Sequence, residues 1–283
     1  MQADAPHVGP AASDRRRRGG HPLCGVSRLE PRYPSGYYPG LWPAHHSRER
    51  LRPHMKIEVY SDTICPWCYV GFARLQEALA ARPGIPMQIG WLPFELNPDL
   101  PPEGEDRRQY MLRRFGDVDR FAAGQAQLLE IGATLGLDFE FGRITRTPNT
   151  RRSHALIHWA GEAGAATQTD VKRRALRAHF SEGRDLADPQ VLAGIAAAAG
   201  LDREAALIAI DEPARHKAIM ALEAQARQWG VSGVPTFIFE RRYAFSGAQS
   251  LEVFLGAIDQ VASELAGQAG SGPGAVAGAT SAS

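Results

Sequence analysis

The order of apolar patterns along the chain predicts an α/β protein in which a strand–helix–strand (βαβ) unit and a closing strand–strand–helix (ββα) unit are separated by a large all-helical insertion. Three observations carry this. Period-two apolar runs occur only near residues 57–60 and 87–96 and again at 236–245; a 3.6-residue period dominates from about 105 to 229; and a helical segment follows each strand region. The expected boundaries are 55–98 and 230–265 for the α/β domain and 99–229 for the helical insertion domain. Residues 1–54 are expected to be a disordered N-terminal extension and 266–283 a disordered tail.

In chain order, Ile57-Glu58-Val59-Tyr60 reads as a short strand. Residues 66–81 read as a helix carrying Val70, Leu75 and Leu79, ended by Pro83-Gly84. Residues 87–96 return as a strand with Ile89, Trp91 and Phe94 apolar, and Pro93 marks an edge or a bulge. Helices are predicted over 117–135, 150–162, 170–180, 188–199 and 213–229. In the fourth of these, Asp188 is placed as N-cap before Pro189. After Gly230 the period returns to two, with strands at 236–239 and 243–245 flanking Glu240-Arg241-Arg242, and a last helix spans 250–265. No repeat of solenoid length is present.

Composition excludes several function classes. The chain has 283 residues, 44% hydrophobic, enough for a sizeable core, and its 3 Cys cannot build a disulfide-stapled scaffold. Residues 1–54 hold 9 basic and 4 acidic side chains, leaving 23 and 27 for the rest, so the folded part is mildly acidic and unlike a nucleic-acid binder. The basic residues are 29 Arg and 3 Lys, a bias of composition more than of phosphate recognition. The longest weakly polar run, 191–201, is too short to cross a bilayer, so no membrane association is expected. The run Arg15-Arg16-Arg17-Arg18 lacks the apolar stretch an export signal needs, so a cytoplasmic location is expected. Met55 opens directly onto a strand and is an alternative start of translation, which would leave 1–54 outside the protein. In the tail, Gly270, Gly272 and Ala275 match a dinucleotide-binding spacing without the strand and helix that such a motif requires.

The strongest chemical signal is Cys65-Pro66-Trp67-Cys68, between the first strand and first helix. Pro66 suits the first helical turn, and Cys65 is then presented to the free amides and positive dipole end of the helix. That setting favours a thiolate, the form that attacks disulfides. Cys68, one turn on and on the same face, can reach Cys65 and release a mixed disulfide. Cys65 is the expected attacking sulfur and Cys68 the resolving one. A structural zinc site would need four ligands that the chain does not gather, and a haem attachment would need His where Tyr69 stands, so no metal is expected.

A second signal is Gly230-Val231-Ser232-Gly233-Val234-Pro235-Thr236, a loop leading into the third strand. By base rate the Val234-Pro235 bond is trans; a cis bond would bring the Val234 backbone beside Cys65, where it could pair with an extended substrate. His154 and His158 stand at i, i+4 on one helix, a spacing that suits a metal or a base but more commonly belongs to packing or surface. Trp91, Trp159 and Trp229 are expected in the core or lining a groove.

A strand followed by Cys-Pro-Trp-Cys, a helical insertion, and Gly-Val-Pro-Thr before a β-hairpin resembles the DsbA family of thioredoxin-fold oxidoreductases, in particular its FrnE-like branch. Tyr60-Ser61-Asp62-Thr63-Ile64, the stretch from Trp91 to Pro98, and Pro148-Asn149-Thr150 leading to Ser153-His154 extend the likeness over about 55–265. The resemblance implies a thioredoxin fold (βαβ…ββα), a cis bond before Pro235, a nucleophilic Cys65, and a helical cap that brings Asn149 and His154 near the redox pair. Substrate contacts are then expected from Pro66, Trp67, Val234, Pro235, Asn149 and His154.

This chain has no cysteine after Cys68, which leaves out the second cysteine pair of some FrnE-like proteins. Many DsbA-type oxidants carry His where Trp67 stands, and an indole cannot repeat that charge, so a weaker oxidant is expected, acting by reduction or isomerisation in a reducing compartment. Its partners would be disulfide-containing protein or peptide substrates and glutathione or a thioredoxin-type reductant, with no tightly bound cofactor. The alternative within the superfamily is a glutathione-dependent isomerase or transferase of the kappa or 2-hydroxychromene-2-carboxylate isomerase type, disfavoured because activating a bound thiol needs no resolving cysteine. A non-enzymatic binding module using the helical cap would survive Cys65→Ser, whereas a redox enzyme would not.

Overall fold

The computed structural model describes residues 26–28, 54–116 and 118–270. In chain order the elements are β1 (Ser27–Arg28), β2 (Met55–Ser61), α1 (Pro66–Ala80), β3 (Met87–Pro93), β4 (Glu105–Asp106), α2 (Arg107–Phe115), α3 (Val118–Thr134), β5 (Arg146–Thr147), α4 (Arg151–Ala160), α5 (Ala165–Phe180), α6 (Pro189–Ala198), α7 (Arg203–Ile210), α8 (Pro213–Gln228), β6 (Thr236–Phe239), β7 (Tyr243–Ser246) and α9 (Leu251–Gly270). Five strands form one sheet in the order β1-β7-β6-β2-β3; β2 and β3 run parallel and the other neighbours antiparallel. This is the thioredoxin arrangement, with 99–229 inserted between β3 and β6.

The sheet alternates as its sequence does. Ile57, Val59, Phe237 and Phe239 join the core shared with α1 and α9, where Phe254 meets Phe237 edge-on at 4.8 Å. Tyr60, Leu92 and Ile238 point the other way, to Leu222 and Ala226 of α8. The first buried face holds α1 in place, and α1 carries the cysteines. The insertion grips β3 through one side chain in particular. Gln168 of α5 accepts from the Trp91 N–H (3.0 Å) and donates to the Trp91 carbonyl (3.2 Å), so its amide takes the place of a neighbouring strand.

Several expectations change. Ser27–Arg28, inside the segment expected to be disordered, pairs with Ala244 and Tyr243 as an edge strand; the rest of 1–54, apart from Val26 and His54, lies outside the described residues. The last helix runs to Gly270, into the expected tail, and 271–283 lie outside the described residues, as does the Gly270-Gly272-Ala275 spacing beyond its first member. The insertion is not purely helical, because β4 and β5 pair in a two-residue ladder. Helix α2 carries four Arg in nine residues and buries none of its side chains, so packing does not set its bounds. Its ends define it instead: the Asp106 carboxylate accepts from the Gln109 N–H (3.0 Å), and Gly116 closes it at φ 66°. Helix α7 is likewise set by its N-cap, Asp202, which accepts from the Ala205 N–H at 2.7 Å.

Gly71 marks the tightest approach of α1 to the sheet. A Cβ there would lie 3.0 Å from the Phe237 ring and 3.1 Å from the Pro235 ring. Gly71→Val is expected to cost about 2 kcal/mol by overpacking, read as a lower urea midpoint, and to slow alkylation of Cys65 by displacing α1 from the Pro235 loop.

His179 is buried on α5 against Phe180, and burial, then the nearby Arg107 charge, lowers its pKa from 6.5 to about 4. A base with a depressed folded-state pKa stabilises the fold fully above the unfolded value and loses that contribution as pH falls from 6.5 toward 4. Between pH 7 and pH 4.5 the wild type is therefore expected to lose about 2–3 kcal/mol more unfolding free energy than a His179→Phe variant, measured by urea unfolding at each pH.

Candidate active site

The site forms where the C-terminal end of β2 meets the N-terminus of α1 and the loop entering β6. Cys65 is the N-cap of α1 (φ −87°, ψ 113°) and Pro66 follows inside the first turn, so the proline's missing N–H costs the helix nothing. The Cys65 carbonyl accepts from the Cys68 N–H at 2.9 Å, which fixes the two cysteines one turn apart. Opposite them the Val234-Pro235 bond is cis, and the Cys65 thiol donates to the Val234 carbonyl at 3.7 Å. Pro66, Trp67 and Val234 are half-buried around this contact. Cys65 is 6% exposed and Cys68 1%, so an incoming disulfide meets Cys65 first.

Both cysteines are unpaired, so the structure is that of the reduced pair. The electrostatics refine the expected thiolate. The hydrogen bond shared with Cys68, burial and the neighbouring negative charge push Cys65 well up. Cys68 is lowered: burial opposes ionisation, but the Cys65 hydrogen bond, the Lys172 charge, the Ser61 hydroxyl and the Asp62 backbone outweigh it. The outer thiol is thus pushed up and the inner one lowered, and the two titrate as a pair.

Asn149 and His154 are both buried and held by framework contacts. Asn149 donates to the Leu100 carbonyl (2.7 Å) and accepts from the Arg151 N–H (3.0 Å), tying the loop after β3 to the start of α4. His154, 3% exposed, turns its Nε2 to within 3.5 Å of an Asp62 carboxylate oxygen. His158 points away from it to Arg215, at 2.9 Å. Burial, then the Arg215 charge, lowers the His158 pKa. The two histidines therefore have separate partners and do not converge. Among the described residues, no group of three or more His, Cys, Asp and Glu side chains is gathered as a metal site.

Sequence reasoning missed the buried polar layer beneath the cysteines. Asp62 accepts from the Leu96 N–H at 2.7 Å and stays below the ordinary carboxylate range, because His154, that N–H and Lys172 outweigh the effect of its burial. Thr63 and Ser153 share a hydrogen bond of 2.8 Å, and Ser153 donates onward to the Thr150 carbonyl (2.8 Å), so the loop before the motif is bolted to α4. Glu95, whose side chain is fully buried, pairs with Arg151 at 2.7 Å, while its N–H donates to Glu223 at 2.7 Å. One signal was readable in advance. Gln168, Lys172, Leu176 and His179 follow the apolar stripe of α5, and polar residues on a buried stripe call for partners.

A family model described as a DSBA-like thioredoxin domain matches residues 56–259. The crystal structure of a probable DsbA oxidoreductase from Streptomyces coelicolor is similar at 32% identity and a TM-score of 0.66, covering 80% of this chain and 95% of that one. The cytosolic disulfide reductase DsbM from Pseudomonas aeruginosa, solved with GSH, shares the fold at 22% identity and a TM-score of 0.50, over 76% of this chain and 98% of its own. An uncharacterized protein of Bacillus subtilis, YwbO, is 28% identical over 208 residues, 71% of this chain and 94% of that protein.

Removing Arg151 leaves the Glu95 carboxylate buried and unpaired. Arg151→Met is expected to cost about 2 kcal/mol in urea unfolding, and to raise hydrogen exchange of the Leu96 and Leu100 amides as the loop over the cysteines loosens.

Proposed function

The chain belongs to the DSBA-like thioredoxin domain family, and from that premise we propose that it is a dithiol–disulfide oxidoreductase that reduces or isomerises disulfides through Cys65 and Cys68. The observation that carries this reading is the pairing itself: the more exposed of the two sulfurs at a helix N-cap, facing the Val234 carbonyl, with the second sulfur one turn behind it.

In the reductive direction, the Cys65 thiolate attacks one sulfur of a substrate disulfide. A Cys65–substrate S–S bond forms, the substrate S–S bond breaks, and the departing thiolate takes a proton. The Cys68 thiolate then attacks Cys65, forming the Cys65–Cys68 disulfide and expelling the second substrate thiolate, which is protonated in turn. Two electrons pass from the pair to the substrate. Two equivalents of glutathione, oxidised to its disulfide, or a thioredoxin-type dithiol would restore the pair. An extended peptide or glutathione would lie along Val234, using its backbone as a short strand edge beside Trp67. Among the described residues no helix is long and apolar enough to cross a membrane, which is compatible with work on dissolved substrates in a reducing compartment.

The test is a redox titration in glutathione buffers with thiols counted by mass. The wild type is expected to lose two thiols reversibly, Cys68→Ser to accumulate a mixed disulfide at Cys65, and Cys65→Ser to lose turnover by at least a hundredfold. A pair that stays reduced at every poise while glutathione binds without a covalent bond would sink the redox reading in favour of a glutathione-dependent isomerase or transferase.

A further inference from the structure

Of the 3 lysines in a chain with 29 arginines, one, Lys172, is buried to 1% exposure on α5. Its backbone is pinned. Gln168 and Thr169, one turn earlier, hold the Trp91 backbone and indole N–H, the latter at 3.0 Å. The Lys172 ammonium lies over the Trp91 ring at 5.9 Å, and Trp91 stacks on Phe72 at 5.2 Å. Phe72 is four residues after Cys68, so both project from the same side of α1, and the Trp91 ring links that side to the ammonium. Among the described residues it forms no ion pair within salt-bridge distance.

A buried ammonium without a contact ion pair is costly, and so is a buried thiolate. Each lowers the cost of the other. We infer that Lys172 is a positioning residue for the reduced pair, its ammonium holding negative charge on the sulfurs from the helical insertion and thereby setting how oxidising the disulfide is. The inference rests on the dithiol reading above. It supplies from a distant part of the chain the positive charge that Trp67 cannot supply within the motif. Lysine suits the place better than arginine, because its charge is a compact point on a flexible stem and responds to burial.

The other charges on Lys172 come from each packed element: Cys65 and Cys68 on α1, and Asp62 at the end of β2 with His154 of α4 behind it. On its own helix stands His179, held neutral by burial with Arg107 of α2 nearby. Burial is the largest influence on Lys172 and lowers its pKa, opposed by Cys68, Asp62 and Cys65 in that order. On oxidation both sulfurs become a neutral disulfide. The two electrons leave to the substrate, any proton still on the pair leaves with them while water supplies the rest that the substrate thiolates take up, and Lys172 retains Asp62 alone as a negative neighbour.

Linkage between the two groups is reciprocal, so it can be read at either end. With lysine labelled at Cε the protein gives three signals, assigned with Lys56→Arg and Lys217→Arg. The Lys172 signal is expected to titrate at higher pH in the reduced protein than in the oxidised one; identical titrations in the two states overturn the inference. In glutathione buffers, Lys172→Met is expected to need about tenfold less oxidised glutathione for half-oxidation, a potential lower by about 30 mV. Its thiolate absorbance should appear at higher pH, and Lys172→Arg should restore both toward wild type. A folded Lys172→Met with unchanged potential and thiolate titration assigns Lys172 to packing and overturns the inference alone. A wild-type pair that never oxidises overturns the dithiol reading and this inference with it.

Discussion

The close approach of α1 to the loop entering β6 is the constraint on which the site depends. It exists because Gly71 has no side chain where the Phe237 and Pro235 rings press against the helix. With α1 seated there, its N-terminus points at Val234, and the Cys65 sulfur and the Val234 carbonyl face each other across the cleft. The same seating buries Cys68 on the sheet side of the helix. One sulfur is thus slightly exposed and the other fully buried, a difference set by helix geometry and by the depth of one packing contact.

A buried, ionisable pair of sulfurs needs compensating groups, and the protein supplies them in layers drawn from distant segments. Ser61 and Asp62 come with β2 and His154 with α4, while Lys172 comes with α5. The helical insertion is therefore part of the electrostatics of the pair as well as its cap. The Thr63–Ser153 and Glu95–Arg151 contacts keep those layers in register, so that groups 34, 56 and 90 residues apart in the chain meet within hydrogen-bond distance. The Gln168 clasp on Trp91 does the same for α5, closing a sheet edge and fixing the root of Lys172 with one side chain.

Much of the architecture was legible in local patterns. The period-two runs of β2, β3, β6 and β7 and the Cys-Pro-Trp-Cys motif at the start of α1 are short-range features, and they placed the redox pair correctly at a strand–helix junction. Helix α2 lies inside the stretch read as helical from about 105, but its bounds were not legible, because caps at Asp106 and Gly116 set them. The two-residue strands β1, β4 and β5 are too short for any alternation to appear.

The sequence by itself determined the secondary structure around the cysteines, because a strand's alternation, a proline at a helix start and the spacing of two thiols are properties of neighbouring residues. Only the tertiary structure decided the opposite shifts of the two sulfurs and the parts that Asn149, His154 and Lys172 play in the packing. Those roles depend on burial and on Coulomb interactions between segments far apart in the chain, and distance in space, which sets both, is fixed only when the helical insertion packs against the sheet.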